Sequence, residues 1–308
     1  MKPIEKLHGD TVKQIAKKII AKPGRKIRLA DFDPGYTGGI KDKKKAVELL
    51  QQGVKALAAE QDKLYAQNTY GVLVIFQAMD AAGKDGTIKH VMSGLNPQGC
   101  QVYSFKSPSA EERDHDFLWR SMKALPERGR IGIHNRSYYE EALVVRVHPD
   151  ILQGQQLPDT HKGPGIWKER FQQINNFERY LVENGIIVLK FFLNVSKKEQ
   201  KKRFLARIDD PEKNWKFSVT DAKERAHWKE YMKAYEDVFT NTSTPWAPWY
   251  IIPADNKWFM RLAVAGTIYY ALKDLKLAYP EVGEAQKREL LEAKRVLLAA
   301  AREKLASE

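Results

Sequence analysis

Five short apolar runs recur along the chain, each of strand length and rich in β-branched or aromatic side chains. The most uniform is Gly71-Val-Leu-Val-Ile-Phe-Gln77. It lacks the alternation of a half-exposed strand and reads as one covered on both faces. Gln101-Val-Tyr-Ser-Phe105, Arg130-Ile-Gly-Ile-His134, Gly185-Ile-Ile-Val-Leu-Lys-Phe-Phe-Leu-Asn-Val195 and Trp249-Tyr-Ile-Ile252 repeat the signal. Helical stretches such as Trp167 to Glu183 lie between them. Strands alternating with helices predict an α/β fold with a mostly parallel five-stranded sheet and helices on both faces. Ligands of such sheets sit at the carboxyl ends of the strands, so the loops there are where chemistry is expected.

Three segments stand outside this repeat. Residues 1–70 read as a basic arm, with the Gly- and Pro-rich run Arg28-Leu-Ala-Asp-Phe-Asp-Pro-Gly-Tyr-Thr-Gly-Gly39, followed by a helix from Lys43 to Gln67. Residues 196–248 form a long insertion between the last two strands of the 71–280 core. Residues 281–308 form an amphipathic helix with six acidic and six basic residues, whose Leu290, Leu291, Val296, Leu297 and Leu305 suit packing or oligomer contacts.

Composition narrows the class. At roughly 150 residues per domain, a length of 308 allows two domains or one large one, and 43% apolar residues suffice for a full core. The single Cys100 excludes an internal disulfide framework and multi-cysteine metal sites, which fits a reducing, cytoplasmic setting. The first twenty residues mix charge throughout, and no window reaches the ~18 apolar residues of a membrane span. Neither export nor a membrane is expected. The net charge of +13 calls for a polyanionic or phosphate-rich partner without saying which.

Ala78-Met-Asp-Ala-Ala-Gly83-Lys84-Asp85-Gly86-Thr87 follows the first strand directly and leads into a helix. Strand, small-residue loop, Gly-Lys and helix together make a phosphate-binding loop. Its amides and helix N-terminus supply partial positive charge, and the lysine reaches the terminal phosphates. This gives the sheet a P-loop kinase-like, three-layer character. Ala78 stands where such a loop has its first glycine, and Asp85 where a Ser or Thr would ligate Mg²⁺. Asp80, at the loop apex, is the better metal candidate, because Mg²⁺ favours carboxylate and phosphate oxygens. Thr87 offers a hydroxyl as an alternative.

A second polar cluster, His134-Asn135-Arg136-Ser137-Tyr138-Tyr139-Glu140-Glu141, follows the third strand. A carboxylate that orients Mg²⁺ usually ends the strand beside a phosphate loop; here the position holds Asn135, whose amide oxygen brings no charge. Arg136 offers a planar fork suited to phosphate oxygens. His134 reads as a core or rim histidine. Further on, Ser196-Lys-Lys-Glu199 is a capping box that starts a helix with six cations and one anion over Lys197–Ile208. This density suggests a mobile helical lid that closes over phosphates.

At these residues the chain resembles the second polyphosphate kinase family, P-loop enzymes that pass phosphoryl groups from inorganic polyphosphate to nucleotides. The matching stretches are Asp80-Ala-Ala-Gly-Lys84 with Gly86-Thr-Ile88, Leu95-Asn-Pro-Gln-Gly-Cys100, Asn135-Arg-Ser137, and Arg203 to Ser218 with Arg207, Asp209, Pro211, Trp215 and Lys216. The likeness covers about residues 25 to 275. Many members have Asp-Arg-Ser, and a glycine in the loop, where this chain has Asn135 and Ala78. Asn-Arg-Ser-Tyr-Tyr-Glu is similar to the class III subgroup that phosphorylates AMP and ADP. The resemblance implies Mg²⁺, with Mn²⁺ as a substitute, ATP as the nucleotide product, and a homo-oligomer, dimer or tetramer.

On this reading transfer is in-line without a covalent intermediate, and positioning and charge neutralisation supply the catalysis. Asp80 holds the metal, with Asn135 on the metal or its waters. Lys84 and the backbone of Ala81, Ala82, Gly83, Asp85, Gly86 and Thr87 grip the phosphoryl group. Arg136, Arg203 and Arg207 neutralise the developing charge, and Lys202 and Lys216 extend the polyphosphate track. An ATP-dependent small-molecule or nucleotide kinase on the same fold is the alternative. A nucleic-acid-binding module would leave Asp80, Gly83 and Lys84 unexplained and lacks aromatics interleaved with the cations.

Overall fold

The computed structural model describes residues 15–40 and 42–306, apart from the side chains of Lys45, Lys216 and residues 300–306. Residues 1–14 of the expected arm and the Lys216 side chain expected on the phosphate track therefore lie outside the described residues. The described residues up to Leu277 form one compact unit, and residues 278–306 belong to a second.

The first unit is built on a sheet of six strands: β1 (Ile20–Ala21), β2 (Gly71–Gln77), β3 (Cys100–Ser104), β4 (Ile131–Asn135), β5 (Ile186–Asn194) and β6 (Trp249–Pro253). Their order is β1-β6-β5-β2-β4-β3. All neighbours are parallel except β1 and β6. The five expected strands are present, and β1 adds a sixth from the N-terminal arm. It is too short for a hydrophobic pattern to reveal. It exists because Ile20 and Ala21 pair with Tyr250 and Trp249, and because Ser243 donates a 2.5 Å hydrogen bond to the Ala21 carbonyl.

At the centre, all seven residues of β2 are buried, as its unbroken apolar run requires. Removing a Val, Leu, Ile or Phe side chain of this kind from water contributes about 1.5–3 kcal/mol. Seven helices belong to this unit's main framework: α1 (Lys43–Gln67), α2 (Lys84–Met92), α3 (Glu140–Val147), α4 (Ile166–Glu183), α5 (Lys197–Ile208), α6 (Trp228–Thr242) and α7 (Lys257–Asp274). Helices α1, α2 and α7 pack together, as do α3, α4 and α6. Right-handed crossovers place these two groups on opposite faces, because the chain moves from β2 toward β3 in one direction and from β4 to β5 in the other. The connections thus part at β2 and β4, whose carboxyl ends frame the crevice where ligands of such sheets bind.

The expected 196–248 insertion divides in two. Its second half, α6, is part of the core, with Tyr231, Tyr235, Val238 and Phe239 buried against the sheet and the α3/α4 layer. Residues 197–227 remain as the segment beside the crevice. In the second unit, α8 (Glu284–Ala306) carries the ion pairs Glu284–Lys287 and Glu292–Arg295 one turn apart. Among the described residues, no helix is long and apolar enough to cross a membrane.

One buried polar network bears on the crevice. Lys190 of β5 and Glu178 of α4 are both fully buried and form an ion pair of 2.6 Å. Lys190 also donates to the Thr242 carbonyl at 2.7 Å. Glu178 accepts from the hydroxyls of Tyr138 (2.9 Å) and Tyr139 (2.7 Å). Burial pulls the lysine pKa down and Glu178 opposes it. Each charge is held by its partner, as burial demands. The two tyrosines follow Ser137 directly, so the network anchors the turn after β4 to β5, α4 and α6.

Candidate active site

The loop 78–83 leaves β2 and enters α2 through two left-handed residues, Ala81 (φ 60°) and Gly83 (φ 110°). Gly83 needs that conformation, and a Cβ there would meet the Met260 side chain at 3.2 Å. Alanine in the left-handed region is strained, and such strain is retained where the surroundings hold it. Here Gln200 of α5 donates to the Asp80 carbonyl at 3.0 Å. Arg203 of α5 donates to the carbonyls of Ala82 (2.6 Å) and Ala81 (3.3 Å). The loop carbonyls are thereby turned outward onto α5, leaving the first-turn amides of α2, which have no intrahelical acceptors, for an anion.

Beside it runs the turn after β4. The register pairs Phe76 with Asn135, so the two loops emerge abreast, and the Arg136 amide donates to the Phe76 carbonyl at 3.0 Å. Arg136 is itself left-handed (φ 67°). Its guanidinium bridges Asp80 at 3.0 Å and Glu140 at 3.3 Å. Burial works against this charge, but Glu140 and Asp80 outweigh it and hold the pKa above the ordinary arginine value. Lys84 donates to the Ala78 carbonyl at 3.1 Å. Burial and then Arg136 lower its pKa, against Asp80, Glu140 and Asp85. Asn135 donates to Asp85 at 2.9 Å, while its own Oδ1 is buried and finds no partner. The Thr87 hydroxyl is turned onto the Gly83 carbonyl at 2.9 Å.

Asp80, Ala81, Ala82, Gly83, Lys84, Asp85, Gly86, Thr87, Asn135 and Arg136 therefore meet in one crevice. The residues of α5 do not all follow. Arg203 is 9% exposed, and its fork is used by Ala81 and Ala82 on one side, by the carbonyls of Ala254 (2.6 Å) and Asp255 (3.1 Å) on the other, and by Glu199 (2.9 Å). The expectation that it neutralises transferring phosphate meets a guanidinium already engaged in tying the phosphate loop to the end of β6. Lys202 is exposed. Arg207 lies 3.8 Å from Asp221. Burial raises the Asp221 pKa, and the Asp80 charge raises it further. His134 is fully buried and bonded to the Ala124 carbonyl at 3.0 Å, a core histidine.

The sequence reading missed Gln200, and also Lys257 and Arg261 at the start of α7. The signal for the last two was available: both stand in the first two turns of the helix that follows β6. A small pocket opens next to Asp80 and Arg136, walled by Met79, Leu143, Tyr231 and Tyr235.

A profile of the family described as Polyphosphate kinase 2 (PPK2) matches residues 40–280. The chain belongs to the polyphosphate kinase 2 family. The ADP-polyphosphate phosphotransferase of Rhodopseudomonas palustris is 52% identical over 276 residues, spanning 89% of this chain and 96% of its own. The AMP/ADP-polyphosphate phosphotransferase of Meiothermus ruber is 40% identical over 277 residues, spanning 90% of this chain and all of its own (100%). The crystal structure of polyphosphate kinase 2 from Arthrobacter aurescens TC1 superposes with a TM-score of 0.80 at 40% identity, covering 89% of this chain and 98% of that one. The phosphate loop, the Asn135-Arg136 turn and the 197–227 segment all fall within the matched residues of this polyphosphate kinase 2 chain.

Proposed function

We infer that this chain is a polyphosphate-dependent nucleotide kinase that moves a phosphoryl group from inorganic polyphosphate to AMP and ADP. The observation that carries the reading is the juxtaposition of the Lys84 loop with Asn135 and Arg136 at the parting of the sheet connections, in a chain of the polyphosphate kinase 2 family. Relatives named for ADP and for AMP/ADP support both acceptors. The terminal phosphate of either acceptor has a second pKa of about 6 and is an anion at pH 7, so the attacking oxygen needs no dedicated base. Lys84 and the α2 amides hold the transferring phosphoryl, and Arg136 offsets charge as it shifts between donor and acceptor. Residues 197–227, clamped to the loop through Gln200 and Arg203, act as a lid whose outer part, with Arg207, closes over the phosphates, while Lys202 adds a cation beside the clamp.

The donor set fits a hard divalent cation. The Asp80 carboxylate stands beside Arg136, and Asn135, which donates to Asp85, keeps an Oδ1 that is buried without a hydrogen-bond partner. Among the described residues, no group of three or more His, Cys, Asp or Glu could hold a metal. Mg²⁺ commonly takes one or two protein oxygens and completes its shell with water and substrate phosphate. Asp80 and Asn135 would hold Mg²⁺, or Mn²⁺ in its place. Once bound, the ion supplies charge neutralisation between phosphate oxygens.

The test is an assay of purified protein with Mg²⁺ and either AMP or ADP, with polyphosphate or ATP as sole donor. Nucleotides are separated by chromatography. Phosphorylation of both acceptors from polyphosphate is expected. Turnover with ATP alone would replace this reading by an ATP-dependent kinase.

A further inference from the structure

A chain of phosphates needs cations beyond the transferring group, and Arg203 is not free to serve. The nearest alternative stands on α7. Lys257 and Arg261 lie four residues apart, hence on one face of the helix. This helix abuts the phosphate loop: the Met260 side chain borders Gly83, and Arg261 Nη2 would lie 3.8 Å from a Cβ placed on Gly86. The guanidinium thus borders the first turn of α2, the same turn whose amides face the anion.

Neither cation has a carboxylate of its own among the described residues. No ion pair involves either residue among the described residues, and Arg261 Nε is buried without a hydrogen-bond partner. Burial, then Arg203 and Arg261, lower the Lys257 pKa; Lys213 adds to the same field. The opposing carboxylate, Glu199, is already paired with Arg203 at 2.9 Å. Like charges gathered without an anion repel one another, and a bound polyanion relieves that repulsion.

We propose that Lys257 and Arg261 bind the part of the inorganic polyphosphate chain that trails behind the transferring phosphoryl group, leading it from the phosphate loop along α7. This rests on the polyphosphate reading above and adds the path of the donor, on the α7 side of the loop and away from the Tyr231/Tyr235 pocket.

The test compares the full wild-type chain with a Lys257→Gln/Arg261→Gln double variant, with Mg²⁺ and ADP. The donor is either long-chain polyphosphate or tripolyphosphate, which is too short to extend along α7. KM for the long chain should rise about tenfold, from two lost contacts of the strength typical of exposed ion pairs. KM for tripolyphosphate, whose two trailing phosphates meet only the loop end of this track, should rise clearly less than KM for the long chain, KM for ADP should stay within about twofold, and the salt dependence of the long-chain KM should flatten. A charge-preserving Lys257→Arg/Arg261→Lys variant should recover most of the long-chain affinity. An unchanged long-chain KM, an equal rise for both donors, or a charge-preserving variant as impaired as the neutral one would overturn the proposal. A wild-type chain inert toward polyphosphate would instead refute the functional reading on which it rests.

Discussion

Replacing Arg203 by alanine separates two kinds of role for this residue. If Arg203 touched substrate, the variant would fold as stably as wild type and lose affinity for polyphosphate. The structure gives it different work. Its two shortest bonds, 2.6 Å each, run to the carbonyls of Ala82 and Ala254 and join the phosphate loop to the end of β6. Without the guanidinium both carbonyls are stranded in a buried place, at about 1–3 kcal/mol each. Water entering the vacated space recovers part of this. A net loss of ~3 kcal/mol follows, which for a chain of this size lowers Tm by roughly 5 °C. Because Ala81 and Gly83 are held in left-handed conformations within the same loop, kcat should fall with stability. Arg203→Lys should fare little better, since one ammonium cannot span both carbonyls as the planar fork does. Scanning calorimetry and steady-state kinetics on both variants decide the matter. An Arg203→Ala protein with unchanged Tm and a raised polyphosphate KM, restored by lysine, would refute the reasoning.

Two further outcomes are expected. Lys84→Ala should lower kcat by on the order of 10²- to 10³-fold with Tm nearly unchanged, because among the described residues the ammonium bonds the Ala78 carbonyl and no other group; turnover near the wild-type rate would remove Lys84 from the site. His134 should make stability depend on pH. Its pKa is lowered to about 4, by burial first and against its bond to the Ala124 carbonyl. The unfolded residue titrates near 6.5, so the unfolded state binds the proton first. This contribution is fully present above about pH 6.5 and is lost as pH falls toward 4, by at most ~3 kcal/mol. Urea melts of wild type and His134→Gln across this range should diverge in slope, and parallel curves would show that another group is responsible.

The central strands were legible because a strand buried on both faces must be apolar throughout, and Gly71 to Gln77 has no other reading. The phosphate loop was equally legible, since Gly83-Lys84 between such a strand and a helix leaves little freedom. Asn135 and Arg136 were found because they end a strand, and strand ends are where these sheets bind. The strand β1 was not legible: two residues carry no period, and only the edge of β6 gives them a partner. Nor was the division of residues 196–248, where the apolar face of α6 looks the same whether it covers a core or a lid.

Local sequence thus determined which residue types stand at each strand end, because covalent adjacency and hydrophobic period are properties of the chain alone. The assignment of the cations was decided by tertiary structure. Arg203 and Arg207 read alike along the helix, yet one is consumed by four backbone carbonyls and Glu199, and the other faces Asp221 near the loop. Lys257 and Arg261 looked like an ordinary helix start until α7 was seen against Gly83 and Gly86. A charge acts through what surrounds it in space, and only the fold determines which carbonyls and carboxylates come near enough to use it.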